Sequence, residues 1–157
     1  MNARQQEIDT AIRASGLADI WLSELRVGCG YGPDSERIMD LWGISTKRPF
    51  VHIAVEIKVS RGDFRSDLRS PLKQRRARLF ANLFYYAAPS GLLTASDLPP
   101  WAGLLEVASG VGCYIKVKAP WFDSSPPTWS FVAHLLRIHG RDKGQVMADQ
   151  TGGRDET

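Results

Sequence analysis

Apolar and polar positions along this chain change period several times, and each change marks an element. From Ala3 to Ala14, Ile8, Ala11, Ile12 and Ser15 fall on one stripe, with Gly16 available to end the turn, which predicts an amphipathic helix. Trp21 to Val27 then reads as a short strand that breaks into the glycines Gly28, Gly30 and Gly32. Arg37 to Ile44 is apolar around a single Asp40, and Thr46-Lys47-Arg48-Pro49 is a turn before Phe50 to Val59, so the two runs predict a hairpin. In the second run Val51, Ile53, Val55, Ile57 and Val59 alternate with His52, Ala54, Glu56, Lys58 and Ser60. That period of two puts a β-branched row on one face as core, and Glu56 and Lys58 together on the other.

Ser70-Pro71 has the form of an N-cap with proline at the first helical position, and Leu72, Arg76, Leu79, Phe80 and Leu83 follow at helical spacing. Phe84 to Ala88 is a further strand ended by Pro89-Ser90-Gly91, and Leu104 to Val107 and Tyr114 to Lys118 make another pair around Gly110 and Gly112. Thr128 to His139 carries Phe131, Leu135, Leu136 and Ile138 in helical order behind the Pro126-Pro127 stop. Helix, three strands, helix, three strands, helix predicts an α/β fold with a mixed sheet. One domain over 1–140 accounts for the elements. The polar stretch 141–157, with Gly152-Gly153, reads as a flexible tail.

Composition narrows the function classes. At 157 residues, 43% hydrophobic and 24% charged, the chain has the make-up of a soluble folded domain. No apolar run reaches the roughly 20 residues that span a bilayer, and no signal core opens the chain, so a cytoplasmic protein without a membrane partner is expected. Cys29 and Cys113 have no partner cysteines at metal-ligand spacing and read as reduced, buried thiols. His134 and His139, five residues apart, miss the spacing of a helical zinc pair. The glycine loop lacks the Lys-Ser/Thr of a phosphate loop.

Charge is more telling in its distribution than in its sum of +3. Lys58 to Arg78 holds eight basic residues against two acids, a local net of +6 that leaves −3 for the rest of the chain. A cationic segment on a mildly acidic body suits a phosphate-backbone partner, with a solvated, ion-paired helix face as the alternative. Asp63 and Asp67 read as balancing the local arginines.

The candidate chemistry is Asp40 on one strand with Glu56 and Lys58 on the next. Carboxylates in apolar surroundings need a cation or donors, and Mg²⁺, which takes a few carboxylates plus water and phosphate oxygens, would serve. Lys58 would then sit near a metal-bound water and a scissile phosphate, the arrangement of metal-assisted phosphodiester hydrolysis. An acid-x-Lys triplet alone is weak, since chance yields roughly 0.6 in such a composition. Its context adds weight: an acid on the preceding strand, a β-branched strand under the pair and a basic segment after it. The plain alternatives are Asp40 paired with Arg37 or Arg48, and Glu56 with Lys58 as a salt-bridge face.

Through Arg-Ile-Met-Asp-Leu at 37–41 and Val-Glu-Ile-Lys-Val-Ser at 55–60 the chain resembles the PD-(D/E)XK nuclease superfamily. Glu56 to Phe64, Asp67-Leu68, Tyr85 to Pro89 and Gly103 to Val107 look closest to MmcB-type DNA-repair nucleases and their phage relatives. The resemblance spans roughly Glu24 to Val107 and implies a restriction-endonuclease-like αβββαβ core with an extra β-hairpin and a C-terminal helix. It implies Mg²⁺, with Mn²⁺ able to substitute, held by Asp40, Glu56 and the Ile57 carbonyl. It further implies Lys58 as the catalytic lysine, Glu24 as an added acid with Glu36 as its rival, and Gln74 in the place of the superfamily's helix glutamine. Met39 stands where the superfamily name has proline, and Gln74 is followed four residues later by Arg78 rather than tyrosine.

DNA is the implied substrate, cut to a 5′-phosphate and a 3′-hydroxyl, with Arg61, Lys73, Arg75 and Arg78 as expected contacts. Repair, recombination or phage DNA processing in a bacterial or phage-infected cell would be the setting. A non-catalytic DNA-binding module of the same fold is the rival reading, and a self-associating structural protein the third. A homodimer is compatible with all three. Among other residues, His52 reads as structural at the edge of the site, and Trp101 as core or as a loop aromatic able to stack on a base.

Overall fold

The computed structural model describes residues 1–28 and 36–151. Helix α1 (Ala3–Arg13) starts at a capping box, Asn2 accepting from the Gln5 backbone while Gln5 returns a bond to Asn2. It ends before Gly16, whose φ of +74° reverses the chain. A single mixed sheet follows in sequence order: β1 (Ile20–Gly28), β2 (Glu36–Ile44), β3 (His52–Ile57), β4 (Leu83–Pro89), β5 (Gly103–Ala108) and β6 (Gly112–Val117). β1, β2 and β3 pair antiparallel, β3, β4 and β5 run parallel, and β6 turns back on β5. The fold is therefore α/β with the expected mixed sheet, extra hairpin and C-terminal helix.

The parallel step from β3 to β4 needs a crossover, and the Lys58 to Arg78 segment supplies it. It forms two short helices, α2 (Arg61–Leu68) and α3 (Pro71–Ala77), where the apolar spacing had predicted only one, starting at Pro71. α2 escapes a reading by periodicity because Phe64 is its one buried residue; its N-cap does the work, Ser60 accepting from Asp63 N at 3.1 Å. Leu83, expected on the helix, opens β4, and Leu72, expected on its apolar side, is 72% exposed.

Both sheet faces are covered, so the expectation of one core face on β3 needs correcting. Ile53, Val55 and Ile57 join Ile8 and Ile12 of α1 on one side. On the other, Ala54, Phe84, Tyr86 and Leu104 pack under Phe64, Phe80 and residues of α4 (Trp129–Thr151). A central strand of a sheet with parallel crossovers is buried on both faces, and Glu56 and Lys58 are buried with it, at 3% and 6% exposure. α4 itself runs on to Thr151, into the segment expected as a tail. Among the described residues, no helix is long and apolar enough to cross a membrane.

Candidate functional site

The ladder between β1 and β2 pairs Ser23 with Leu41 and Leu25 with Met39, and omits the step between them, Glu24 and Asp40. Glu24 there holds φ at +52°, a left-handed conformation that costs a non-glycine residue of order 1–2 kcal/mol. Its effect shows in the packing. Leu22 and Leu25, three apart, share the core beneath α4, while Met39 and Leu41, two apart, lie in opposite cores. Strict alternation allows neither. The two acids at the break line a small cavity of about 140 Å³ with Ile57, Gln5 and Met1 at the start of α1. Asp40 is fixed in place by the Ile57 backbone, whose N–H donates to Oδ2 at 2.8 Å.

Glu56 alternates away from Ile57, onto the α2 side of the sheet. There Lys58 Nζ lies 3.7 Å from Glu56 Oε2 and 3.6 Å from Asp67 Oδ1, and all three side chains are less than 10% exposed. The Lys58 backbone extends the sheet, its N–H donating to the Ala87 carbonyl at 2.8 Å. Asp67, in the last turn of α2, also accepts from the Tyr86 hydroxyl at 3.0 Å, and its carbonyl accepts from the buried Gln74 side chain. Lys58 thus sits between two carboxylates, and Tyr86 and Gln74 hold the outer one. Removing one member of such a buried set costs about 3–5 kcal/mol, because the remaining charge loses its compensation.

The structure thus brings Glu24, Asp40 and Ile57 to one cavity and Glu56, Lys58 and Gln74 to a neighbouring cluster. Asp67 and Tyr86 are the residues that sequence reasoning missed. Asp67 reads as one more charge balancing arginines, and Tyr86 as core; only the register that places Tyr86 beside Glu56 exposes its role. Among the described residues, no three His, Cys, Asp or Glu side chains gather as a metal-ligand group. Mg²⁺ requires only one or two carboxylates, the rest being water and phosphate oxygens. Asp40 with Glu24, beside the Ile57 backbone, fits that smaller demand.

The expected DNA contacts divide. Arg61 is engaged within the chain, its guanidinium donating to both Asp97 carboxylate oxygens at 2.6 and 3.2 Å and to the Leu92 carbonyl at 2.9 Å. That pairing, with bonds from Thr94, holds the Asp97 carboxyl down at about 2. Arg78 stacks over the Trp101 ring at 4.0 Å, and burial lowers its pKa. Trp101 in turn packs against Phe84, so its faces serve the fold. Arg75 is exposed, as are Arg65 and Arg69. The side chains of Lys73 and Glu36 lie outside the described residues, as do Cys29 and the glycines Gly30 and Gly32.

Three further groups stand apart from the Asp40 cavity and the Lys58 cluster. His52 stacks on Trp42 (5.6 Å, 16° between planes), which bears out a structural role, and burial lowers its pKa. Glu106, paired with Ala88 of β4, accepts from Ser90 Oγ at 3.0 Å, Gly91 N at 3.3 Å and the Tyr114 hydroxyl, with Lys116 at 3.6 Å. These donors, Tyr114 foremost, keep its carboxyl below the usual range and tie β4, β5 and β6 together. Cys113 is half-buried and its thiol is pushed up to about 11, consistent with an inert side chain. The larger cavity, of about 750 Å³ and bounded by Leu98, Pro99, Pro100 and Trp121, contains none of the expected site residues.

No family model matches the chain, and no curated protein is similar to it. A solved structure of a protein of unknown function from Silicibacter pomeroyi is similar over 96% of this chain and 94% of that one, at 19% identity and a TM-score of 0.65. Likeness at that identity establishes the α/β fold.

Proposed function

We propose that this chain is a metal-dependent nuclease acting on DNA, hydrolysing the phosphodiester bond with Asp40 and Glu24 as the carboxylates that would hold the metal and Lys58 as the lysine that faces the scissile phosphate; Glu56, the other expected ligand, lies on the opposite face of β3 and pairs with Lys58 instead. The observation that carries the reading is the placement of these groups where the pairing of β2 with β3 ends: Asp40 held by the Ile57 N–H, Glu24 with its left-handed backbone lining the same cavity, and Glu56 with Lys58 on the other face of the strand. Strained backbone conformations cluster at active sites and ligand clamps. The αβββαβ order, resembling the PD-(D/E)XK nucleases, agrees with it. A bound Mg²⁺ would supply a lowered water pKa and charge stabilisation at phosphorus. The protein's own part is to hold Asp40 and Glu24 at the cavity and the Lys58 side chain between Glu56 and Asp67. The exposed arginines Arg65, Arg69 and Arg75 offer the backbone grip. The setting that goes with this reading is the cytoplasm of a bacterial or phage-infected cell.

A second reading, the non-catalytic DNA-binding module, is favoured by one specific observation: Lys58 is already held by two carboxylates, with its side chain 8% exposed. The test is cleavage of end-labelled and circular DNAs (single-strand, duplex, flap and junction) with Mg²⁺, Mn²⁺ or EDTA, comparing wild type with Lys58→Ala. Cleavage lost with EDTA and in the variant upholds the nuclease. Salt-sensitive binding without cleavage, unchanged in the variant, selects the module.

A further inference from the structure

Helix α4 carries two apolar faces. The inner one holds Phe131, Leu135 and Ile138; Phe131 stacks on Phe80 at 4.2 Å and meets Trp42 edge-on at 5.8 Å. On the outer one lie Trp129, Ala133, Leu136 and Gly140, alternately four and three residues apart, the spacing of a two-helix seam. Trp129 is 88% and Leu136 67% exposed, among the most exposed large apolar side chains described. Gly140 sits inside the helix, where glycine is disfavoured against alanine, yet a Cβ there would meet nothing within 4 Å. Among the described residues, no contact requires a glycine at that position.

We propose that this stripe is the seam of a homodimer in which α4 packs antiparallel against α4 of a second copy. The pattern is self-complementary. A two-fold axis between His134 and Leu135 sets Trp129 opposite Gly140 of the second copy and Ala133 opposite Leu136, so that every large side chain meets a small one. Gly140 then has a purpose, since the indole needs the space a Cβ would take. The flanks agree: Arg137 comes beside Ser130 of the second copy and His139 beside Val132, and no cation faces a cation. Parallel pairing would instead set Trp129 on Trp129, Leu136 on Leu136 and Arg137 along Arg137. An isologous contact of this kind closes at two copies.

Trp129 and Leu136 together bring roughly 300 Å² per copy, against about 800 Å² per partner in a standard interface, so the dimer belongs to the weaker, concentration-dependent class. α4 covers the sheet face opposite α1, which leaves the Glu24 and Asp40 cavity on the α1 side clear of the seam. The inference does not depend on the nuclease reading.

Sedimentation of the full chain from low to high micromolar concentration tests it. Wild type should move from 17.4 kDa toward twice that mass. Leu136→Lys and Gly140→Leu should remain monomeric at every concentration with unchanged helical circular dichroism; Gly140→Leu matters because it favours the helix while filling the space needed by the second copy's indole. For orientation, Ala133→Cys/Leu136→Cys in a Cys29→Ser/Cys113→Ser background should oxidise to a 133-to-136 cross-link, and Leu136→Cys alone should not cross-link. A wild type still monomeric at roughly 200 µM, a dimer unaffected by Gly140→Leu, or efficient self-linking of Leu136→Cys would each overturn the proposal. So would a monomer whose DNA affinity falls with Leu136→Lys, since the stripe would then serve a different partner.

Discussion

At the scale of single residues, the chemistry of this protein depends on side chains placed where burial makes their partners decisive. Lys58 has two carboxylates within 4 Å in a nearly closed site. Lys58→Ala strands Glu56 and Asp67 and should lower unfolding free energy by about 3 kcal/mol in urea titration, whereas Arg75→Ala on the exposed surface should change it by less than about 0.5 kcal/mol. Glu24 separates strain from function. Glu24→Gly accepts the φ of +52° without penalty, so stability should stay level or rise by up to about 1 kcal/mol. If the proposed site binds Mg²⁺, its affinity for the ion, read by calorimetry, should fall in the same variant. A loss of stability would show that the carboxylate is structural. His52 gives a pH signature. Burial against Trp42 lowers its folded pKa below the unfolded value of about 6.5, so the unfolded chain binds the extra proton. Its contribution is complete above about 6.5 and declines as pH falls below that value toward the folded pKa. Melting between pH 7 and 5 should show a decline that His52→Gln reduces.

Elements show where backbone decides. β5 runs so close to the segment after β6 that a Cβ on Gly103 would lie 2.5 Å from Ala119 N and 2.6 Å from the Val117 carbonyl, backbone atoms that cannot give way locally. Gly103→Ala should therefore destabilise the protein by about 1–3 kcal/mol, measured by chemical unfolding, while Gly91→Ala meets no atom and loses only the freedom to hold a φ of +77°. Legibility followed the same division. The alternation of Val51 to Val59 specified β3 because its pattern is local, and the stripe holding Ile8 and Ile12 that specified α1 is local too. α2 was missed because its helix rests on the Ser60 cap and one buried Phe64, too little to set a period.

For the molecule as a whole, the crossover from β3 to β4 gathers eight basic residues into one connection, with Arg65, Arg69 and Arg75 exposed on it. If these grip a phosphate backbone, Arg69→Glu/Arg75→Glu should weaken DNA binding about equally for all sequences and flatten the dependence of log affinity on log salt by nearly one unit per lost contact, seen by fluorescence anisotropy. Arg61→Ala should leave that slope unchanged, because Asp97 and the Leu92 carbonyl already hold its guanidinium.

Local pattern alone was enough for the order of the strands, the mixed α/β class, and the identity of Asp40, Glu56 and Lys58 as the unusual polar residues of two apolar strands, because period and composition act over a few neighbouring residues. The tertiary structure decided which faces are buried, since a strand's position in the sheet depends on crossovers and partners far along the chain. It also brought Asp67 and Tyr86 to Lys58 and turned Glu24 toward Asp40. The first needs the return of α2 over the sheet and the alignment of β4 on β3. The second needs a left-handed residue that breaks the very alternation on which a sequence reading depends.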